Sequence, residues 1–181
     1  MHHGKACRKN KTMKELKRAH PTLEITNFRC IDTQNSCLVI PPANCRYAAL
    51  SYVWGVPTVF TTLRSNVKDL EIPHVFDKPE VLSTIPLTIR DAIRVMREIG
   101  MRYLWVDSLC IVQDDDPDEK IKHIKLMDVV YSAADLVIVA AGSENANAGI
   151  AGLDPGSRGS RQPIEEIFPG FRLAYSAGSK V

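Results

Sequence analysis

The chain lacks the signals of a membrane-spanning or secreted protein. No apolar stretch approaches the roughly 18 residues that a helix needs to cross a bilayer, and the N-terminus has no apolar core of the kind that a secretory signal carries. Net charge is also small, at +2, so composition alone implies neither a nucleic-acid partner nor a membrane partner. These absences predict a cytoplasmic protein.

Cysteine is sparse and shows no pairing pattern. The five cysteines are odd in number and widely spaced, and none forms a C-x-x-C pair. This pattern argues against a disulfide framework or a structural zinc site. Reduced thiols fit the cytoplasmic prediction.

Length and composition predict one domain with additions at both ends. The chain has 181 residues, of which 45% are hydrophobic and 24% charged, as is ordinary for a soluble globular domain. A polar, basic opening predicts a solvated tail over residues 1–24. We expect a folded domain over residues 25–162. Residues 163–181 would then be a C-terminal segment that starts a further, truncated region.

The order of apolar patterns predicts an α/β fold, with a mostly parallel sheet and flanking helices. Apolar residues alternate on either side of a polar turn at 32–36, which predicts an N-terminal β-hairpin. Helical patterns separate three later predicted strands, at residues 47–54, 103–106 and 136–141. Their continuous apolar runs are typical of strands covered on both faces. Residues 56–86 are expected to be irregular, and residues 171–175 to form one more strand.

Both predicted helices carry start signals. Thr88 and Asp91 resemble a capping box after Pro86, and Gly100 is placed to end this helix in a left-handed conformation. Asp116 is the predicted cap of the second helix. The inward face of the second helix is expected to carry Ile121, Ile124, Met127, Tyr131 and Ala134. The outward face of the first carries Arg90, Arg94 and Arg97, which form either a solvated surface or a phosphate site.

Polar residues directly follow the second predicted strand of the sheet core, and open α/β sheets collect ligands at such strand ends. Asp107 there is a candidate catalytic carboxylate, although it could instead cap the backbone amides of Leu109 and Cys110. Glu119, in the first turn of the next helix, is the second candidate. It could stabilise an oxocarbenium-like state, or it could complete a capping box with Asp116.

Five further residues are candidates for binding a substrate: Ser51, Trp54, Gly55, Cys110 and Gln113. Trp54 could stack on a nicotinamide or adenine ring, or pack under the loop that follows, while Gly55 would allow close approach. Cys110 would need a base to act as a nucleophile, and a buried apolar role competes with that. The Gln113 amide could face the same crevice or tie the loop to backbone. We expect Trp54, Asp107 and Glu119 to surround one cleft.

The aspartates at 114–116 could hold magnesium, alone or with Asp107. They lack the glycine and the distal glutamate of a calcium-binding EF-hand loop. Helix capping and exposure to solvent are enough to explain why three aspartates occur together here. No metal site is therefore predicted.

Several long blocks of this sequence resemble, in order, those of the fungal heterokaryon-incompatibility (HET) domain. The blocks lie at residues 47–55, 87–93, 102–114 and 127–134, with a Gly-Ile-Ala-Gly turn at 149–152. The resemblance covers about residues 28–162. Departures are modest: His123 stands where glutamine is common in the family, and Ile150 where leucine is usual. Family members commonly continue for hundreds of residues.

The resemblance implies a role in non-self recognition, in which HET-domain proteins trigger the death of fused, genetically different cells. It also implies a distant likeness to Toll/interleukin-1 receptor (TIR) domains, which are flavodoxin-like and some of which cleave NAD. If the chain cleaves NAD as those domains do, NAD is its substrate, and no cofactor is predicted. The alternatives are a non-enzymatic module that assembles with itself or another incompatibility protein, and an inactive, truncated family member.

Overall fold

A mixed five-stranded sheet carries the core of the molecule. The computed structural model describes residues 20–55, 59–141, 144–155 and 157, and the backbone of two further strands at 164–168 and 171–174. Of the tail predicted over residues 1–24, residues 1–19 lie outside the described residues, whereas Pro21 is buried and the His20 ring bonds the Cys45 carbonyl at 3.0 Å. Within the described part of the chain, no helix is long and apolar enough to cross a bilayer.

The strands and helices are short and alternate along the chain. The strands are β1 (Cys30–Asp32), β2 (Cys37–Val39), β3 (Tyr47–Ser51), β4 (Tyr103–Trp105), β5 (Leu136–Val139), β6 (Ile164–Phe168) and β7 (Phe171–Ala174). The α-helices are α1 (Pro21–Glu24), α2 (Val67–Leu70), α3 (Pro79–Leu82), α4 (Leu87–Glu98), α5 (Asp107–Cys110), α6 (Pro117–Lys125) and α7 (Met127–Ala133). A 3-10 turn spans Val75–Asp77. The segment predicted to be irregular therefore contains two helices and this turn.

The sheet has the strand order β2-β1-β4-β3-β5. β3 pairs in parallel with both β4 and β5, whereas β1 pairs antiparallel with both β2 and β4. The α/β class and the N-terminal hairpin are thus confirmed. The sheet is mixed because the hairpin joins it through β1, where Ile31 pairs with Leu104. β6 and β7 form a separate antiparallel pair.

α4 follows its predicted bounds but not its predicted cap. Its inward residues are buried, and Gly100 ends it at φ +72° as expected. The capping box is wrong, because Pro86 is the N-cap and has no side-chain cap bond. Thr88 Oγ1 instead accepts a hydrogen bond from the Gly149 N–H at 3.1 Å, and Asp91 Oδ2 accepts one from the Ile150 N–H at 2.8 Å. Both side chains fix a distant turn.

The second predicted helix is broken at Leu126 into α6 and α7. The cap is as predicted, with Asp116 accepting from the Asp118 N–H at 3.0 Å. The inward face is wrong in α6, where Ile121 and Ile124 are 47% and 51% exposed. Because the break resets the helical register, α7 buries Val129 and Val130.

β5 is also more exposed than a covered core strand. Leu136, Val137 and Val139 are 38%, 38% and 62% exposed. β5 lies at the end of the sheet and pairs with β3 alone among the described strands. An edge position explains why its continuous apolar run does not imply burial.

Candidate functional site

Trp54 and Asp107 meet just beyond the ends of two neighbouring parallel strands. Trp54 follows β3, and Asp107 follows β4 as the first residue of α5. The indole Nε1 donates to both carboxylate oxygens of Asp107, at 3.1 Å to Oδ1 and 3.0 Å to Oδ2. The parallel pairing of β3 and β4 brings these two predicted site residues together.

Asp107 is a half-buried carboxylate with few donors. Besides the indole, it accepts the Ser108 N–H at 2.7 Å. The predicted cap on Leu109 and Cys110 is not made, because both of their N–H groups donate to the Val106 carbonyl oxygen. Burial raises the pKa of the Asp107 carboxyl, and the hydrogen bonds from Ser108 and Trp54 offset this only in part. A raised pKa brings proton exchange closer to neutral pH, as acid–base chemistry requires.

Three residues that sequence reasoning missed complete the surroundings of Asp107. The Tyr52 hydroxyl donates to Ser108 Oγ at 2.8 Å, and Ser108 is fully buried. The Thr62 N–H donates to the Ser108 carbonyl at 3.0 Å, and Thr62 Oγ1 donates to the Leu109 carbonyl at 2.6 Å. The sequence could have identified Tyr52, because residues two apart in an extended chain, such as Tyr52 and Trp54, lie on the same face. Nothing in the sequence pointed to Thr62.

Glu119 forms an ion pair with a residue of its own helix. It lies in the first turn of α6, where its side chain is 45% exposed, and its ion-pair partner is Lys122 at 3.8 Å. It makes no hydrogen bond to Trp54 or Asp107. Of the three residues expected around one cleft, Trp54 and Asp107 are in direct contact.

Gly55 makes the close approach expected of it, but to another part of this chain. It has φ +78°, and a Cβ atom built there would lie 2.4 Å from Asn145 Cβ and 3.0 Å from Asn145 Cα. The preceding Trp54 carbonyl accepts from the Ala146 N–H at 3.3 Å. Ser51 ends β3, and its carbonyl accepts from the Ala140 N–H at 2.9 Å. Gly55 therefore packs the 144–146 turn.

Three clefts formed by described residues lie away from Trp54 and Asp107. One is lined by residues of α4 and the 3-10 turn, one by α2 and β2, and one by the loop after α4 with Pro42 and Cys45. None of these three is lined by Trp54 or Asp107. The contact between indole and carboxylate is thus the defining feature of the candidate site.

A family model described as heterokaryon incompatibility protein (HET) matches residues 47–170, which is more than half of the chain. The chain belongs to the HET family. The family resemblance read from the sequence blocks is confirmed. The matched region begins with β3 and contains Trp54, Asp107 and Glu119.

One curated relative is the heterokaryon incompatibility protein 6, OR allele, of Neurospora crassa. It is 33% identical over 111 residues, which cover 56% of this chain and 15% of the relative. The HET chain described here therefore matches only a small part of that longer protein. No solved structure matches the chain.

Two of the predicted binding residues of this HET domain hold its own backbone. Cys110 is 1% exposed, its Sγ accepts from the Val106 N–H at 3.2 Å, and burial raises its pKa to about 12. A thiol in that state is not a thiolate nucleophile at neutral pH. Gln113 Nε2 donates to the carbonyls of Asp107 at 3.0 Å and Ile111 at 3.2 Å. The structure thus selects the backbone-tying role for Gln113.

The aspartate run after Gln113 is occupied by protein donors. Asp114 Oδ1 accepts from the Arg64 N–H at 2.7 Å, and Asp115 Oδ1 accepts from Arg64 Nη2 at 2.8 Å. Asp116 caps α6. Within the described ranges, no group of three or more metal-binding side chains could hold an ion.

Two of the sequence blocks of this HET domain, at residues 47–55 and 87–93, are bonded to the same turn. The Ala146 N–H donates to the Trp54 carbonyl, and the Ala146 carbonyl accepts from the Thr88 N–H at 3.0 Å. The 144–150 turn therefore ties the end of β3 to the start of α4. The candidate site is held by contacts between blocks that lie far apart in sequence.

Proposed function

We propose that this chain acts in fungal heterokaryon incompatibility as a module that associates with a second copy of itself along the β5 edge. The family match and the name of the Neurospora crassa relative support the biological role. The apolar, exposed β5 edge supports the mode of action.

The two edges of the sheet differ in how they are covered. The turn that leads into β2 is bonded to the 3-10 turn region, where the Phe76 N–H donates to the Ser36 carbonyl at 2.9 Å and the His74 N–H donates to the Asn35 carbonyl. β5 has no such cover among the described residues, and its apolar side chains face solvent. An exposed edge strand is a template for pairing with another chain. A second copy of the chain supplies the same edge strand. Two copies related by a two-fold axis can therefore pair their β5 strands and cover the exposed edge of each sheet.

Charge on the edge strand tests this proposal. Val139→Lys places an ammonium group on β5, and natural edges use lysine to prevent pairing. We expect the variant to remain monomeric by light scattering at concentrations where the unmodified chain associates, and to lose growth arrest when expressed in a filamentous fungus.

Ile40→Lys is the matched control. Ile40 follows β2 at the opposite edge and is 58% exposed, against 62% for Val139. Association and growth arrest should persist in this variant. If Val139→Lys associates as well as Ile40→Lys does, β5 is not the interface.

A second candidate function is cleavage of NAD at its glycosidic bond, by analogy with flavodoxin-like TIR domains. It is favoured by one observation, the half-buried Asp107 carboxylate held by an indole. In this reaction the bond between nicotinamide and ribose breaks, nicotinamide leaves, and water adds to the ribose carbon. Asp107 stabilises the oxocarbenium-like state between these events. Glu119 is left out because its ion-pair partner is Lys122 and it makes no hydrogen bond to Trp54 or Asp107.

Nucleotide turnover separates the two candidates. Cleavage predicts that the purified chain consumes NAD, that Asp107→Asn abolishes turnover, and that Glu119→Gln leaves it unchanged. An absence of turnover in the associated protein would reject cleavage and leave the association proposal standing.

A further inference from the structure

The outward face of α4 lines a cleft that the candidate site does not use. Its lining includes Arg90, Arg94, Arg97, Asp77, Phe76 and Ile85, and its volume is ≈ 80 Å³. We call it the α4 cleft. Phe76 and Ile85 are buried, so part of the lining is apolar while three guanidinium groups supply positive charge.

Two of the three arginines already have protein acceptors. Arg97 donates from Nε to the Thr33 carbonyl at 2.9 Å and from Nη2 to Ser36 Oγ at 2.6 Å. Arg94 donates to Glu98 Oε1 at 3.1 Å and to Asp154 Oδ1 at 2.8 Å. These contacts account for both side chains without a ligand.

Arg90 is different. Its Nε is buried and has no hydrogen-bond partner. A buried donor without an acceptor is costly, and a guanidinium group presents its donors in a fork that matches an oxyanion. The missing acceptor is therefore a group from outside the described chain.

We propose that the α4 cleft binds an oxyanion, a carboxylate or a phosphate group, carried on a short apolar stem. The charge favours an anion, because the carboxylate that lines the cleft, Asp77, is already paired with Arg97 at 3.4 Å. The apolar walls favour carbon atoms next to that anion. A cavity of roughly 150 Å³ holds one benzene ring, so the α4 cleft admits the anionic group and a few carbon atoms. A whole nucleotide is too large.

Side-chain NMR of the 15N-labelled chain tests the proposal directly. Inorganic phosphate, butyrate and neutral butyramide are each titrated while the Arg90 Nε–H resonance is followed. At least one anion should shift this resonance in a saturable way, and butyramide should not. Tighter binding of butyrate identifies a carboxylate ligand with an apolar stem, whereas tighter binding of phosphate identifies a phosphate group.

Arg90→Lys keeps the charge but removes the fork, and should weaken binding by about tenfold or more, as judged from backbone amide shifts of α4. Arg46→Lys is the control, since Arg46 is exposed, pairs with Asp135 at 3.0 Å and lies outside the cleft. The amide spectrum of each variant reports its fold. The proposal is overturned if neither anion gives a saturable shift in the unmodified chain, or if both variants bind equally.

Discussion

At the scale of single residues, Asp107 has fewer donors than its charge demands. An ionised carboxylate can accept roughly four hydrogen bonds, and among the other described residues the donors to Asp107 are the Trp54 indole and the Ser108 N–H. Its neighbour Ser108 is fully buried and bonded to Tyr52. Burial raises the pKa of the Asp107 carboxyl, so its ionised form costs more free energy in the folded protein than in water.

Asp107→Asn should leave the stability of the fold at neutral pH unchanged or raised. The amide carries no charge to desolvate, and its oxygen can still accept the Ser108 N–H. The folded-state pKa of Asp107 is raised above its ordinary value of 3.8, so the penalty of ionisation is present above the folded pKa and absent below 3.8. Any advantage of the variant should therefore shrink as pH falls. Urea unfolding of the variant and the unmodified chain across pH measures this difference in stability. A fall in the free energy of unfolding of more than about 1 kcal/mol at neutral pH would contradict the prediction.

Sequence reasoning located the strand end but not every contact there. Asp107 and Trp54 were predictable because two neighbouring parallel strands end at the same edge. The position of Glu119 relative to this pair was not predictable, because it depends on the path of residues 111–116, which no periodicity encodes. The sequence could not decide between the two roles of the Gln113 amide for the same reason, because the path of residues 111–116 sets which backbone groups it reaches.

At the scale of elements, α4 and the turn at 144–150 form one unit. Thr88 and Asp91 look like a capping box in sequence, yet they accept hydrogen bonds from backbone 61 and 59 residues away, at Gly149 and Ile150. Local spacing cannot distinguish a carboxylate that caps its own helix from one that holds a remote turn. The apolar face of α4 was predictable because burial alone sets its period.

Gly149→Ala should destabilise the fold more than Gly100→Ala does. Both glycines have positive φ, at +77° and +72°, so each substitution costs about 1 kcal/mol in backbone strain. At Gly149 the new Cβ would also lie 2.8 Å from Asp91 Oδ2, whereas nothing lies within 4 Å at Gly100. Urea unfolding of both variants measures the difference. Equal losses would mean that Asp91 moves aside freely.

The hairpin turn between β1 and β2 depends on a buried carboxylate. Asp32 accepts from the Gln34 and Asn35 N–H groups and pairs with Arg102 at 2.7 Å, while its side chain is 1% exposed. Burial raises the pKa of Asp32, but the bond from Arg102 and the backbone donors outweigh it, so the pKa is lowered.

Asp32→Asn should therefore lower stability at neutral pH by about 1–3 kcal/mol. The contribution of Asp32 is present above its ordinary pKa of 3.8 and lost as pH falls through the lowered folded value. The unmodified chain and the variant should converge in acid. Asp69→Asn, at an exposed position of α2, should leave the free energy of unfolding at neutral pH within about 0.5 kcal/mol of the unmodified chain. A pH-independent gap between Asp32→Asn and the unmodified chain would assign the effect to packing.

At the scale of the whole molecule, the connection between β3 and α4 is part of the core. Thr62, in that connection, is fully buried and bonded to Ser108 and Leu109, and it accepts the Gln113 N–H at 2.8 Å. The α/β class could be predicted from the order of strand and helix patterns. The mixed sheet and the packing of this connection could not, because both depend on pairings between distant segments.

Thr62→Val removes one donor from this packing while preserving shape. The Leu109 carbonyl would lose its 2.6 Å partner in a buried setting, which costs about 1–3 kcal/mol. Thr84→Val is the control, because the Thr84 hydroxyl bonds the Val81 carbonyl at an exposed position and water can replace it. Urea unfolding should show a single transition in both variants, displaced only in Thr62→Val. Amide exchange should quicken across residues 107–113 in that variant alone. If exchange there is unchanged, the Thr62 connection does not hold the Asp107 segment in place, and the candidate site is supported by β3 and β4 only.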